Sequence, residues 1–187
     1  MRYEKGRKDA SRSRILEVAA ERFRRDGIAA TGLASIMSDA ELTNGAFYPH
    51  FQSKAQLVSE SVLAAMKGQA RLLQDQAAAG GMEMAIAAYL SPGHRDNPEA
   101  GCALAALLPE LARQPEEARR VITGQFMTAL NEISEALPQT GDREATAIGI
   151  YATLIGTLQL ARAVEGKELS DRILAAGAKA AREMAAH

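Results

Sequence analysis

Residues Thr31 to Lys54 read TGLASIMSDAELTNGAFYPHFQSK. Two short helices joined by a tight turn fit this stretch. Leu33, Ala34, Ile36 and Met37 recur at helical spacing behind Thr31, which can cap the first helix. Asp39 to Leu42 forms the turn. Thr43 can cap the second helix, and Pro49 stops it by disfavouring helical backbone at Tyr48. Leu42 and Phe47 can anchor this second helix to its neighbours, leaving Thr43, Asn44, Ala46 and Tyr48 outward. Gly45 and Ala46 are small enough for close approach of the backbone to another molecule. A helix this short buries too little to serve as a packing element, and its outer face suits insertion into a DNA groove. Ser53 and Gln56 then make a capping box that opens a long helix.

From about Ser11 to Leu63 the chain resembles the DNA-binding domain of the tetracycline-repressor (TetR) family. The resemblance is carried by ILEVAAERFRRDG at Ile15 to Gly27, by Thr31, and by LTNGAFYPHFQSK at Leu42 to Lys54. The tract Gly45-x-Phe47-Tyr48-x-His50-Phe51-x-x-Lys54 is its most specific part. The resemblance implies a regulator of transcription with a second, helical domain that binds a small molecule and dimerises. One position departs from the pattern: Glu41 stands where the family has a turn glycine. A non-glycine residue at positive φ is uncommon, so strain or a different turn shape is expected there.

The remaining sequence reads as helix throughout, giving an all-α fold of about nine helices. A three-helix unit over 1–52 precedes a helical bundle over 53–187. The first helix should run from about Asp9 to Asp26 on a stripe of Ile15, Leu16, Ala19, Ala20 and Phe23, with Gly27 as its stop. A long helix from Ser53 should end at Gly80-Gly81, and a shorter one should span Met82 to Leu90. Ser91 to Pro98 reads as a loop. Gly101 to Arg113 reads as a helix that Pro109 kinks or ends early. Pro115 should open the next helix, and two more follow at about 143–164 and 170–186.

Charge is distributed unevenly. The net value of -1 combines +3 over residues 1–54 with -4 over the remainder. Arg2, Lys5, Arg7, Lys8, Arg12 and Arg14 form a basic arm suited to phosphate, or simply a solvated terminus. No apolar run is long enough to span a membrane, and the N-terminus lacks the apolar core of a signal peptide. A single cysteine allows no internal disulfide, and a cytoplasmic, nucleoid-associated location follows as an expectation. The three histidines, His50, His94 and His187, form no ligand or nucleophile spacing with Cys102. No metal, cofactor or enzymatic activity is therefore expected. The rival class is a helical carrier or scaffold without a DNA function, which leaves Thr43 to Tyr48 unexplained.

The expected DNA-contacting set divides into positioning and reading. Thr31 can offer hydroxyl and amide hydrogen bonds to phosphate, and Lys54 a mobile point charge. Asn44 can read adenine, while the Thr43 or Ala46 methyl meets thymine, with Gly45 giving clearance. Tyr48 and His50 resemble the family's phosphate-contacting aromatic and histidine, although His50 reads equally as a buried or capping residue. The partner is then an operator in double-stranded DNA, bound by a homodimer through about 143–186. Stripes of Ile148, Tyr151, Ile155 and Leu158, and of Ile173, Leu174, Gly177, Ala180, Ala181 and Met184, are its candidate surface, with intramolecular core the competing reading.

A small-molecule effector would occupy the C-terminal domain. Its candidate lining is Met82, Ile86, Tyr89, Leu104, Leu107, Leu108, Phe126, Met127, Leu130, Tyr151 and Ile155, with Glu110 and Gln125 as polar groups amid apolar sequence. Each of these also reads as ordinary core. Cys102 begins an apolar helix, where amides favour a reactive thiolate. A repressor sensing electrophiles through that thiol is thus the alternative to noncovalent control, and a buried core cysteine the plainer reading.

Overall fold

Glycine and serine set the helix ends in the computed structural model, which describes residues 2–186. The side chains of Arg2, Lys5 and Arg7, assigned above to the basic arm, lie outside the described residues, as does His187. Helix α1 runs Arg2–Asp26, seven residues earlier than periodicity predicts, so the basic segment is helical. Ile15, Ala19 and Phe23 are fully buried. Gly27 follows at φ 87 and returns its amide to the Phe23 carbonyl at 2.9 Å, a left-handed stop that glycine adopts without strain.

Helix α2, Leu33–Asp39, ends in a two-bond C-cap. The Leu42 amide reaches the Met37 carbonyl at 2.9 Å and the Glu41 amide reaches Ser38 at 3.0 Å. That pattern is the Schellman motif, and it places Glu41 at φ 60, where glycine is usual. A 3-10 turn, Asn44–Ala46, stands where a second short helix is expected.

Helix α3, Lys54–Tyr89, is capped by Ser53, whose hydroxyl accepts the Gln56 amide at 3.1 Å. Gln56 answers through the amide of Gln52 at 2.7 Å, one residue upstream of the usual capping-box partner. The helix breaks at Gly80–Gly81, as the sequence predicts, with Gly81 at φ 70. A Cβ on Gly80 would overlap Met84.

Helix α4, Pro92–Asp96, occupies part of the expected loop. Ser91 caps it and Pro92 sits in its first turn, a start signal that the turn-rich composition obscures. A 3-10 turn, Pro98–Ala100, leads to α5, Ala103–Leu111. Pro109 lies inside α5 without ending it at once: the Ala105 carbonyl that proline leaves unpaired accepts Gln159 Nε2 at 3.2 Å. Then come α6, Glu116–Ala136, α7, Arg143–Ala163, and α8, Lys167–Ala185. With α3 divided at Gly80–Gly81 the described residues hold nine α-helical segments, the number expected, together with two 3-10 turns and no strand.

The stripes expected to pair two protomers are mostly internal. Tyr151, Ile155 and Leu158 are buried, as are Leu174, Gly177 and Ala181. Gly177 lets α8 close on α7, because a Cβ there would overlap Thr157. Helical periodicity marks a buried face but does not say which molecule buries it. The large apolar side chains that remain outward are Ile148 and Leu160 on α7 and Leu169 on α8, with Ala145, Ala152 and Ala163 of α7 also exposed.

Candidate functional site

The 3-10 turn projects from a buried aromatic pair. Phe47 and Phe51 are 2% and 1% exposed and stack at 5.5 Å between ring centroids. The Arg12 guanidinium lies 4.9 Å over the Phe51 ring and pairs with Glu60 on α3. This anchor leaves Thr43, Asn44 and Gly45 exposed, with Ala46 half-buried. Tyr48 is 73% exposed and meets Phe47 edge-on. His50 is half-buried, with Nδ1 sealed from solvent and lacking a partner. Burial first, then the nearby charges of Lys8 and Arg12, depresses its pKa, so the ring is neutral at neutral pH in the free protein.

Two expected phosphate contacts are engaged within the protein. Thr31 is 2% exposed, and its hydroxyl donates to the Gly27 carbonyl at 2.6 Å. It does not cap α2; Gly32 occupies that position. Lys54 is tethered rather than mobile, its Nζ donating to the Ile28 carbonyl at 2.7 Å. Both residues brace the loop between α1 and α2. A third brace comes from far along the chain. Glu110, expected in the ligand cavity, instead accepts the amides of Ile28 at 3.1 Å and Ala29 at 2.8 Å. Arg24 adds a bond to the Glu99 carbonyl at 2.6 Å. The sequence carries no local signal for these partners, which lie 75 to 82 residues apart.

A cavity of about 130 Å³ opens between α3, α6 and α7. Of the expected lining, Met82, Ile86, Tyr89, Gln125 and Tyr151 are present, together with Cys102. Gln69, Gln74 and Glu132 were not anticipated; they sit among small and apolar residues of α3 and α6. Leu104, Leu108, Phe126 and Ile155 instead line a separate groove of about 440 Å³, divided from the cavity by Tyr151. Leu107, Met127 and Leu130 line neither: Leu107 and Leu130 are core, and Met127 is exposed.

Behind the lining residues Tyr89 and Cys102 lies an ordered polar group that does not itself line the cavity. His94 Nδ1 faces the Tyr89 carbonyl at 2.7 Å and so carries the proton, while Nε2 accepts the Cys102 amide at 2.9 Å. Burial lowers the His94 pKa and keeps this neutral form. Cys102 is a free thiol, 3% exposed. The Tyr89 hydroxyl is buried without a hydrogen-bond partner, and burial pushes its pKa well above the ordinary value. Among the described residues no group of three His, Cys, Asp or Glu side chains is placed to hold a metal ion. None of the helices is long and apolar enough to cross a membrane.

Comparison with known proteins agrees with this geometry. Residues 15–60 match the model of the bacterial regulatory proteins of the tetR family. No curated protein sequence matches the chain. Among solved structures, a TetR-family regulator from Cytophaga hutchinsonii superposes with a TM-score of 0.78 at 18% identity, covering 97% of this chain and 98% of that one. A TetR-family regulator from Agrobacterium tumefaciens gives 0.75 at 20% identity, covering 92% and 98%. Reduced NemR from E. coli gives 0.73 at 19%, covering 90% and 95%. At such identities these likenesses speak for the fold. Residues 15–60 thus form a helix-turn-helix of the kind that the tetR-family model describes, on a fold shared from end to end with solved TetR-family regulators.

Proposed function

We propose that the protein is a cytoplasmic repressor that binds a palindromic operator as a homodimer and leaves it when a small molecule fills the cavity. The observation that carries this reading is the course of α3. One helix begins at Lys54, which holds the Ile28 carbonyl beside the helix-turn-helix, and continues to Met66, Leu73 and Ala77 in the cavity wall. A ligand that favours a different tilt of α3 would move the reading turn of each protomer. Two such turns must lie about 34–36 Å apart, or a multiple of that, to meet successive major grooves. Tight binding alone does not release DNA: moving a 1:99 equilibrium to 99:1 takes about 5.5 kcal/mol of differential affinity.

Within each protomer, residues 1–52 act as the DNA-binding unit and 53–187 as the sensing and dimerising unit. Thr43, Asn44, Gly45 and Ala46 face the bases, while Tyr48 and His50 face the backbone. Thr31 and Lys54 act indirectly, by fixing the loop ahead of α2. The exposed apolar residues Ile148, Ala152 and Leu160 of α7 form the centre of the dimer contact, with α8 alongside. The test is fluorescence anisotropy of labelled DNA from upstream of the protein's own gene. Salt-dependent binding of one dimer per site supports the reading, and binding indifferent to sequence contradicts it.

A thiol-based form of the same control has one observation in its favour, that Cys102 lines the cavity. An electrophile must enter the cavity to reach a thiol so buried. Loss of operator binding on electrophile treatment in the wild type but not in Cys102→Ser would support it, and equal responses would reject it.

A further inference from the structure

The groove of about 440 Å³ lies on the other side of Tyr151 from the cavity, and the one ring lines both. Leu104, Ile122 and Ile155 of the groove are buried, while Leu108 is 43% exposed. Among the described residues none of the groove's lining is charged, in a chain of which 24% is. A solvated helix face ordinarily carries charge, so this surface is not built to stay in water.

The groove runs on into the outer face of α7. From Ala145 to Ala161 that helix holds no charged residue. Its outward positions Ala145, Ile148, Ala152, Leu160 and Ala163 recur at helical spacing, and Ile148 and Ala152 also line the groove. A stripe from Ala145 to Ala163 is about 27 Å long and about 10 Å wide, a footprint of about 270 Å². A stable interface takes about 800 Å² from each partner, so α7 alone supplies about a third. The rest must come from α8 and, across the groove, from α5 and α6.

The kind of partner follows from charge and shape. In a two-fold contact each group near the axis meets its own copy, so any charge there meets a like charge. A patch without charge meets that requirement, whereas a site for a different protein is free to use charge for steering and specificity. Self-complementarity also needs a ridge and a hollow on one patch. Ile148 and Leu160, 45% and 60% exposed, stand out beside the groove, and a Cβ on Gly156 would meet nothing among the described residues.

We infer that the groove is the seat of a second copy of this chain, whose own Ile148 ridge enters it, so that the dimer contact runs over α5 and α6 as well as α7 and α8. This rests on the reading of the protein as a homodimer. Tyr151 then has the other copy on one side and the cavity on the other, and its ring belongs to both sites.

The test is sedimentation velocity of the full chain over a concentration series, without DNA. Leu108→Glu and Thr123→Glu each place a carboxylate in the groove, from α5 and from α6, at positions exposed in the single chain. Each should keep wild-type helicity by circular dichroism and raise the dimer dissociation constant at least about tenfold, because the new charge is buried only in the dimer. Leu72→Glu, at an exposed apolar position of α3 outside the groove, should dimerise as the wild type does. Wild-type dimerisation by both groove variants would overturn the inference and leave the homodimer reading standing. Equal weakening by Leu72→Glu would overturn the assignment to the groove. A wild type that stays monomeric throughout would overturn the homodimer reading together with the inference.

Discussion

The carboxylate of Glu110 accepts the backbone amide of Ala29 at 2.8 Å, across 81 residues of sequence. With its second bond to Ile28, this clamps α5 to the loop that enters α2. A carboxylate on two backbone amides is a charge-assisted arrangement, stronger than a neutral one. Glu110→Ala should cost about 1–2 kcal/mol in urea unfolding, less than the buried-charge range because the side chain is partly solvated. Its operator affinity should fall as well, without a change in sequence preference. An unfolding midpoint and slope indistinguishable from wild type would show that the clamp contributes nothing.

Glu41 is exposed and sits at φ 60 in the Schellman turn. An L-residue in this conformation costs about 1–2 kcal/mol relative to glycine. Glu41→Gly should therefore raise stability by about 1 kcal/mol and leave the reading turn in place. The check is a melting curve on the variant; an unchanged or lower melting temperature would mean that the Glu41 side chain contributes a compensating contact.

Protonating His94 would remove the acceptor that holds the Cys102 amide. Its pKa is lowered in the fold, chiefly by burial, from 6.5. Above about pH 6.5 neither folded nor unfolded chain binds the proton, and stability is flat. Below it the unfolded chain protonates first, so stability falls until the folded pKa is passed. His50 is shifted in the same direction and adds to the slope. His94→Gln should thus flatten, without abolishing, the loss of melting temperature between pH 7 and pH 5. An identical slope in the variant would remove His94 from the account.

Gly177 packs against Thr157 where α8 crosses α7. Gly177→Ala should destabilise by about 1–3 kcal/mol through overpacking. Adding Thr157→Ala should recover part of that loss, because the two sites share one contact. Strict additivity of the two changes would show that they do not meet.

The contrast between these sites shows what a sequence can disclose. Gly27, Gly80–Gly81 and the Ser53–Gln56 cap were legible because helix ends are governed by local backbone chemistry. The oddity of Glu41 was legible for the same reason. Tyr48 and Asn44 could be placed outward because Pro49, Phe47 and Phe51 fix the turn within a few residues. Glu110 was misplaced because its partners are backbone amides, which leave no mark in the sequence. Thr31 looked like a cap until its hydroxyl proved to be engaged with Gly27. Leu104, Leu108, Phe126 and Ile155 are apolar at the right period, but period alone does not separate a cavity wall from a neighbouring groove.

The claim on which the rest depends is that the turn around Asn44 reads DNA. The most direct measurement is anisotropy of the upstream DNA and of a scrambled duplex, for wild type, Asn44→Ala and Tyr48→Ala, over a salt series. Asn44→Ala should lose about 1–3 kcal/mol on the specific site and little on the scrambled one. Tyr48→Ala should weaken both about equally, as expected for a backbone contact. Equal loss on both duplexes for Asn44→Ala, or wild-type binding by both variants, would contradict the assignment of this turn as the DNA-reading element.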